Sequence, residues 1–535
     1  MKRTIAALAI LLFATALSAA DARRYLVGTR RAAHTGALQA VRNTIEFEPS
    51  QVAPFRIFDG FAATLTEDEA DELRASREVR WIEPVVARHA FIEQRNFLGQ
   101  TLPYGIHAIT ARQAAAGRRT GTVNVVVLDT GIDYMHPELK TSYAGGYNVF
   151  NNSSDPLDDE GHGTHVAGTI AAADNTEGVI GVAPDINLWS VKVLDASGTG
   201  TSEGVLEGID WVIAQKQALG GNWVINLSLG SNEESIGERE AFQRAADAGI
   251  LVVAASGNSS TPNRPAPVAF PAAFPSVLAV GAVDENHELA YFSNQGPELV
   301  LVAPGLYILS TLPIGSDFVS FVTDGNIAYE AAPLTGSRRD TVTAEFVDCG
   351  IGKPEEFPAS VQGKIALIKR GGETFANKVR AAKAAGAIAV ALYNYDHKPV
   401  PSQWTLISDL ASQQEDWPVV LRLTLADAEQ LLKQGRRTIT LSYRPDDYGY
   451  LSGTSMSAPH VTGAAALLWT LAPGATSEQI RNALIQTAID LGAPGADPQY
   501  GHGRMNIFAA ARLLAPNAFV PGPTTGRPIG RRGRG

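Results

Sequence analysis

Cysteine, basic charge and long apolar runs are scarce in this chain of 535 residues. The single cysteine, Cys349, excludes an intramolecular disulfide and a cysteine-rich metal site. A formal net charge of −11 gives no support for nucleic-acid binding. Beyond the first residues, no apolar run is long enough for a transmembrane helix, so we expect no stable membrane anchor.

The composition is nevertheless that of a folded protein. Hydrophobic residues make up 45% of the chain and charged residues 19%, so it can bury substantial cores. Its length predicts several modules rather than one domain.

The first residues have the pattern of an export signal. Lys2 and Arg3 precede a mostly apolar stretch over 5–17, and the small-residue sequence Ala20-Asp21-Ala22 follows it. This stretch is too short to span a bilayer comfortably, so the pattern predicts a signal peptide over 1–22 and a secreted protein. A secreted protein without disulfides needs another stabiliser, for which a metal is the usual candidate.

Three segments carry residues suited to nucleophilic catalysis. Asp129 follows a strand-like run, His162 lies in a glycine-rich motif, and Ser455 precedes an apolar helical stretch. A serine at the start of a buried helix combines a hydroxyl nucleophile with free backbone N–H groups and a favourable dipole. The hydroxyl needs a neighbouring base, and that base needs a partner that orients it.

In the chain order Asp, His, Ser, these segments resemble the catalytic signatures of the subtilisin-like serine proteases. The resemblance implies that Ser455 is the nucleophile, that His162 is first the base and then the acid, and that Asp129 orients His162. His165 and Asp133 are neighbours in the same motifs; the motif match favours His162 and Asp129. The implied activity is endopeptidase cleavage of proteins through an acyl-enzyme.

The same resemblance implies an oxyanion site and a peptide-binding cleft. The segment 252–258 resembles the family's oxyanion loop, in which Asn258 would act beside the backbone N–H of Ser455. The implied substrate-binding residues are Ser228, Leu229, Gly230, Gly198, Thr199, Gly200, Ala255, Ser256, Gly257 and Ala269. Because the lining of the first pocket is small and uncharged, we expect a preference for apolar or aromatic side chains before the scissile bond. Ala269 stands where the family often has glycine, which predicts a slightly shallow pocket floor.

A structural calcium ion is the cofactor that the resemblance implies, and none is implied for the chemistry. The segment 100–105 resembles the mature N-terminus of subtilisins, and the loop 173–179 resembles the family's calcium loop. The implied ligands are Gln100, Glu138, Ala173, Asn175, Glu177 and Val179. Glu138 replaces the family's usual aspartate, and a polar surface loop without metal remains the alternative.

The pattern of predicted elements indicates an α/β fold with a parallel-sheet catalytic domain. Strands alternate with helices as parallel sheets require, which places Asp129 at the carboxyl end of a strand. The predicted strands are 123–128, 188–194, 223–229, 250–255 and 277–283, and the predicted helices are 162–173, 201–219 and 238–248.

Two further segments have patterns of their own. Strands at 25–27, 61–65 and 79–84 with a helix at 67–75 resemble the α+β propeptide of the family. The excess length between His162 and Ser455 contains strands at 364–369, 387–393 and 418–423 and helices at 374–385 and 425–434. This α/β pattern resembles an inserted protease-associated domain, with substrate access or recognition as its role and a passive spacer as the alternative.

The expected organisation follows from these resemblances: a signal peptide (1–22), an inhibitory and folding propeptide (23–95), a catalytic domain in two parts (96–312 and 448–515), an inserted domain (313–447) and a flexible basic tail (516–535). We expect a monomer that acts on polypeptides and has its own propeptide as intramolecular inhibitor. The alternative is a catalytically silent relative that binds peptides through its inserted domain. That alternative would have lost a catalytic or oxyanion residue, and the sequence retains all four.

Overall fold

The computed structural model describes residues 23–29, 52–54, 60–65, 70–71, 73–74, 76, 79–84, 96–117, 121–395, 404–407, 410–434 and 438–519. These belong to two compact units, Met1–Ile92 and Glu93–Gly535. The expected signal peptide and most of the expected tail lie outside the described residues. Within the described ranges, no helix has the length and apolarity that crossing a membrane requires.

The first unit contains a four-stranded antiparallel sheet in the order β2-β3-β1-β4. Val27, Ala63 and Leu65 form its core with Leu73. Three of the strands were predicted, and β2 was not. Of the helix predicted at 67–75, only residues 70–71 and 73–74 are described, and these are helical. The strands are β1 (Arg23–Thr29), β2 (Val52–Pro54), β3 (Gly60–Leu65) and β4 (Val79–Pro84).

The second unit is built on a seven-stranded parallel sheet in the order β11-β10-β9-β8-β5-β7-β6. Its strands are β5 (Val123–Asp129), β6 (Tyr143–Asn148), β7 (Asn187–Lys192), β8 (Asn222–Leu227), β9 (Ile250–Ala255), β10 (Val277–Val283) and β11 (Leu299–Pro304). Strands β5, β9 and β10 are buried at every residue, as expected for a sheet covered on both faces.

The parallel α/β class predicted from the sequence is confirmed, with differences at the edges of the sheet. All five predicted strands are present, but β7 and β8 each end two residues early because the chain turns there into the loops of a cleft. The two edge strands β6 and β11 were missed. Glycines in the sequence YAGGYN and the partial exposure of β6 weaken its strand pattern.

Eleven α-helices lie in the described part of the second unit: α1 (Tyr104–Ala108), α2 (Ala111–Ala115), α3 (His162–Ala171), α4 (Ser202–Leu219), α5 (Ile236–Asp247), α6 (Phe375–Ala384), α7 (Leu410–Gln413), α8 (Leu425–Lys433), α9 (Thr454–Leu471), α10 (Ser477–Gln486) and α11 (Ile507–Leu514). Helix α9 is central, because it packs against α3 and against strands β8 to β11. Every residue of α9 except Ser455 is buried. The helix therefore presents one side chain at its start and uses the rest for the core.

An insertion begins and ends at a small antiparallel pair of strands, β12 (Ile308–Thr311) and β21 (Tyr448–Leu451). Between them lies an eight-stranded mixed sheet in the order β14-β13-β20-β16-β17-β18-β19-β15. The strands are β13 (Asp317–Thr323), β14 (Ala328–Glu330), β15 (Ala332–Pro333), β16 (Thr341–Asp348), β17 (Ile365–Lys369), β18 (Ala389–Tyr393), β19 (Val419–Leu423) and β20 (Thr438–Asp446).

The predicted elements of the insertion form its parallel centre. Strands β17, β18 and β19 and helices α6 and α8 were all predicted. The antiparallel strands beside them were not. Strands β13 and β16 are half exposed and have few apolar residues in succession, so their pairing with β20 is visible only in the folded sheet.

Candidate active site

Asp129 and His162 meet at the carboxyl edge of the parallel sheet. Asp129 is the last residue of β5 and is fully buried, and His162 is the first residue of α3. Asp129 Oδ1 lies 2.7 Å from His162 Nδ1. The same oxygen accepts a hydrogen bond from the backbone N–H of Thr130 at 2.8 Å, which holds the carboxylate in place. This arrangement puts the proton on Nδ1 and leaves Nε2 of His162 free to act as a base.

The pKa of His162 is raised to about 9. Burial by itself lowers the pKa, but the charge and the hydrogen bond of Asp129 raise it further than burial lowers it, with smaller contributions from Glu160 and Asp158. The side chain keeps 25% of its surface exposed, so it can exchange protons in the cleft. An imidazole with this partner is a stronger base than a free histidine.

His165 and Asp133, which lie in the same motifs, are bonded to other parts of the chain. His165 is fully buried, and its Nε2 lies within hydrogen-bond distance of the carbonyl oxygens of Ile308 (2.9 Å) and Gly449 (3.2 Å). Burial lowers the pKa of His165 to about 3, so it stays neutral in the core. Asp133 accepts backbone N–H bonds from Met135 and Ile314. Neither side chain is placed for proton transfer to Ser455.

Ser455 is the second residue of α9, where helical N–H groups have no partner within the helix. Its Oγ donates to the carbonyl oxygen of Ser228 at 3.1 Å. In return, Ser228 Oγ donates to the carbonyl oxygen of Ser455 at 2.7 Å. Ser228 lines the same cleft as His162, so this reciprocal pair bonds Ser455 to a residue of the cleft wall.

Asn258 lies beside the start of α9. Its Oδ1 accepts hydrogen bonds from the backbone N–H (2.9 Å) and the hydroxyl (2.8 Å) of Thr454. Because Oδ1 is occupied, Nδ2 is the group left to donate, and a Cβ placed on Gly453 would lie 3.3 Å from it. The N of Ser455 lies 3.6 Å from the same point, so the exposed Asn258 amide and the backbone N–H of Ser455 are close together, as two donors to a common oxyanion would be.

A cleft of about 760 Å³ is lined by His162 and Ser228; Asp129, Asn258 and Ser455 are not among its lining residues. Six of the predicted substrate-binding residues line it: Gly198, Thr199, Gly200, Ser228, Leu229 and Gly230. The other four, Ala255, Ser256, Gly257 and Ala269, are not among its lining residues. Ala255, Ser256 and Ala269 are buried, and the N–H of Ala269 donates to the carbonyl oxygen of Ser256. Phe270, the next residue, does reach the cleft.

The cleft is also lined by carboxylates that were not predicted from the sequence. Glu160, Glu233, Glu234 and Glu238 all line it. Glu234 forms an ion pair with Arg239, and burial raises the pKa of Glu238. The signal was present, because Glu160 precedes His162 by two positions and the acidic pair follows Gly230 closely.

The predicted calcium ligands are also brought together. Gln100 Nε2 lies 2.8 Å from the carbonyl oxygen of Ala173, 3.2 Å from that of Val179 and 3.3 Å from Asn175 Oδ1. The buried Glu138 accepts from Asn175 Nδ2 at 2.8 Å. Tyr448 OH donates to the second oxygen of Glu138 at 3.0 Å. Glu177 contributes a backbone N–H to Asn175 Oδ1, and no contact of its carbonyl oxygen with this group is found among the described residues.

This oxygen set fits a calcium ion. Three oxygens converge on one amide nitrogen, as ligands converge on a cation, and carbonyl, amide and carboxylate oxygens are the donors that Ca²⁺ prefers. Burial raises the pKa of Glu138, because it disfavours the charged carboxylate. A nearby cation would oppose this effect and favour the charged form. Among the described residues, no cluster of three or more His, Cys, Asp or Glu side chains could hold a metal, so ligation here would combine the Glu138 carboxylate with backbone and amide oxygens.

Sequence comparison gives consistent matches for the second unit. A family model described as the subtilase family matches residues 120–330 and 376–503. Subtilisin E from Bacillus subtilis is 37% identical over 297 residues, which is 55% of this chain and 74% of that protein. Subtilisin DY from Bacillus licheniformis is 45% identical over 215 residues, which is 40% of this chain and 76% of that protein.

Comparison with solved structures gives the same result. The psychrophilic subtilisin-like protease Apa1 from the Antarctic psychrotroph Pseudoalteromonas sp. AS-11 superimposes with a TM-score of 0.52 at 29% sequence identity. The match covers 79% of this chain and 100% of the crystallised chain.

Proposed function

Because the chain belongs to the subtilase family and is a subtilisin-like serine endopeptidase, we propose that Ser455, His162 and Asp129 are its catalytic triad. The observation that carries this assignment is the 2.7 Å contact between Asp129 Oδ1 and His162 Nδ1 at the wall of the cleft. The reciprocal bonds between Ser228 and Ser455 support it, because Ser228 lines the same cleft as His162.

The chemistry then has two halves. When a peptide binds, the Ser455 hydroxyl leaves the carbonyl of Ser228 and turns to Nε2 of His162, which takes its proton as Oγ attacks the scissile carbonyl carbon. The oxyanion accepts hydrogen bonds from Asn258 Nδ2 and from the N–H of Ser455. His162 then returns the proton to the leaving amine, and the acyl-enzyme remains. A water molecule, deprotonated by His162, hydrolyses the ester and regenerates the serine.

The proposed substrates are extended polypeptides. The segments 198–200 and 228–230 both line the cleft, and their backbones would pair with a peptide as added strands. Such pairing tolerates many sequences, so selectivity falls to the first pocket. We expect a preference for apolar or aromatic side chains there, because the residues that resemble the family's first pocket, Ala255, Ser256, Gly257 and Ala269, are small and uncharged. They do not line the described cleft, so this preference rests on the residue types alone.

The precursor is proposed to be exported and then processed. Residues 1–22 would be removed as a signal peptide, and residues 23–95 would act as folding aid and inhibitor until they are cleaved. The separate compactness of the first unit supports this division. Residues 313–447, which begin and end at the β12–β21 pair, would control access to the cleft as a protease-associated domain.

Calcium is proposed to have a structural role only. Gln100, with its amide turned so that Oε1 faces the ion, would hold calcium together with Glu138, Asn175 and the carbonyl oxygens of Ala173 and Val179. Bound there, it would neutralise a buried carboxylate and tie the segment at Gln100 to the loop that follows α3.

The proposed function is tested by intact mass and casein cleavage. Wild type is expected to lose its N-terminal segment, to gain one adduct with a serine-directed phosphonate and to cleave casein. Ser455→Ala is expected to do none of these. Ser457→Ala is the matched control: Ser457 lies two residues further along the same helix, where it is buried and donates to the carbonyl of Ala303, so this variant should behave as wild type. An adduct or casein cleavage in folded Ser455→Ala would refute the assignment.

A further inference from the structure

A buried carboxylate lies between the two segments that carry Asp129 and His162. Asp158 is only 6% exposed and accepts five hydrogen bonds. Its Oδ1 accepts from the backbone N–H groups of Glu160 (3.1 Å) and Gly161 (2.9 Å) and from the hydroxyl of Thr130 (2.8 Å). Its Oδ2 accepts from the N–H (2.9 Å) and the hydroxyl (2.6 Å) of Thr164. All five partners are donors, which suits an ionised carboxylate because it only accepts.

Thr130 connects this carboxylate to both proposed catalytic residues. Its Oγ1 accepts from the N–H of Gly163, the residue after His162, at 2.9 Å. Its own N–H donates to Asp129 Oδ1, the oxygen that also meets His162 Nδ1. The backbone on both sides of His162 and the residue after Asp129 are therefore bonded to Asp158, directly or through one hydroxyl.

The segments that carry Asp129 and His162 are also packed closely where Gly131 meets Gly163. A Cβ added to Gly163 would overlap the carbonyl oxygen of Gly131, and Gly131 itself has a φ of +113°, which disfavours any side chain. Backbone therefore packs directly on backbone at this crossing. A shift of either segment cannot be absorbed by side-chain rotation, so it would pass to the contact between Asp129 and His162.

Lys192, the last residue of β7, holds the backbone of Thr130. This buried side chain donates from Nζ to the carbonyl oxygens of Thr130 (2.6 Å) and Leu194 (2.9 Å) and forms an ion pair with Asp159 at 2.6 Å. The backbone of Thr130 is thus fixed from β7, which leaves its side chain as the adjustable link to Asp158.

We propose that Asp158 is a positioning residue for the triad: it sets the distance and angle between Asp129 and His162 without touching substrate. This inference rests on the proposed function. Positioning matters because a displacement of about 1 Å in a catalytic group can cost on the order of 10²-fold in rate.

The first test compares Asp158→Asn with Asp158→Glu in the full-length chain. Asn keeps the shape but turns an N–H₂ group toward the donors of Thr164, and Glu keeps the charge but is too long for the same five bonds. We expect both variants to lower kcat on a peptide substrate by roughly 10- to 100-fold at the plateau of the pH profile, with KM changed less than about twofold.

A purely electrostatic role gives a different result. In that case Asp158→Glu would keep the wild-type kcat, and Asp158→Asn would move only the acidic limb of the profile to lower pH and leave the plateau intact. This outcome, or wild-type kcat in both variants, would overturn the positioning role.

A second pair of variants covers the case in which Asp158 variants do not fold. Thr130→Val removes only the hydroxyl link, so it should lower kcat with little change in KM, and Thr130→Ser should restore kcat. Asp324→Asn is the structural control, because Asp324 is also buried and accepts backbone N–H bonds, but in the inserted domain. Folded Thr130→Val with wild-type kcat would contradict the proposal.

Phosphonate labelling separates this inference from the proposed function. If Ser455→Ala still reacts or still cleaves casein, the triad assignment fails, whatever the Asp158 variants do. If Ser455→Ala is silent and the Asp158 and Thr130 variants label as fast as wild type, the triad stands and the positioning role is wrong.

Discussion

Ser455 and Ser228 exchange hydrogen bonds, each hydroxyl donating to the other residue's carbonyl oxygen at 3.1 and 2.7 Å. The pair joins the start of α9 to the loop that leaves β8, so the proposed nucleophile is bonded to the wall of the cleft. It also means that the Ser455 proton points to a carbonyl group in the free protein. In the proposed mechanism, attack on a substrate therefore requires the hydroxyl to rotate toward His162.

Removal of the Ser228 hydroxyl should loosen the nucleophile. In Ser228→Ala, the carbonyl of Ser455 loses its donor and Asn226 Nδ2 loses an acceptor at 3.0 Å. We expect the free energy of unfolding to fall by about 1 kcal/mol and kcat to fall severalfold. Denaturant unfolding and peptide kinetics measure the two effects; unchanged values for both would show that the pair is incidental.

Loss of the Asn258 donor should slow acylation with little effect on binding. Asn258→Asp keeps an acceptor for Thr454 but removes Nδ2, so it isolates the donor role. We expect kcat to fall by about 10²- to 10³-fold, the usual cost of one oxyanion donor. Steady-state kinetics on an amide substrate are the measurement. A loss below tenfold would assign Asn258 to local structure only.

Activity should rise with pH into the alkaline range. His162 must be neutral to accept the Ser455 proton, and its pKa is raised to about 9, chiefly by Asp129 acting against burial. We expect kcat/KM of the free enzyme to increase up to about pH 9. The matching stability contribution is complete below the unfolded pKa near 6.5 and is lost as pH rises through 9. Asp129→Asn should move the limb to lower pH; an unmoved limb would assign it to another group.

Acid should destabilise the protein through two neutral histidines. Burial lowers the pKa of His165 to about 3 and that of His460 to about 4. Between pH values of about 6.5 and these lowered pKa values, the unfolded chain binds protons that the native state does not bind. The free energy of unfolding therefore decreases as pH falls. Each histidine contributes up to about 1.4 kcal/mol per pH unit in this window.

Urea unfolding of the inactive Ser455→Ala chain at pH 7 and pH 5 measures this dependence without self-digestion. His460→Asn, combined with Ser455→Ala, keeps a side-chain N–H for the carbonyl of Met456 but cannot be protonated. It should show a smaller pH dependence than its parent. An equal or larger dependence would exclude His460 as a source.

Chelation should lower thermal stability through the loop after α3. We expect EDTA to reduce the Tm of Ser455→Ala, and calcium to restore it, because the proposed ion joins Gln100 to the carbonyls of Ala173 and Val179. Glu138→Gln should weaken the response by removing the only carboxylate of the set. If EDTA leaves the Tm of Ser455→Ala unchanged, the hydrogen bonds of Gln100 are enough to hold the loop after α3, and the calcium proposal fails.

The parallel sheet could be predicted because its inner strands are continuous runs of apolar residues. Strand β5 contains four valines and a leucine in the sequence VNVVVLD, which predicts a strand buried on both faces. The edge strands and the antiparallel half of the insertion could not be predicted, because half-exposed strands leave little periodic signal. The acidic lining of the cleft was missed for a different reason, since Glu160 and Glu238 lie far apart in sequence and only the folded chain brings both to one cleft.

The sequence alone determined the fold class, the family and the chemistry proposed for this protein. Nucleophile, base, carboxylate and oxyanion loop each lie in a short segment whose own residues set its backbone and side-chain types. Only the tertiary structure decided how those segments are held together: Asp158 between Thr130 and Thr164, Ser228 against Ser455, and Gln100 over the loop that follows α3. These are long-range hydrogen bonds between buried or half-buried groups, and their pairing depends on strand order and helix packing, which no local pattern of residues encodes.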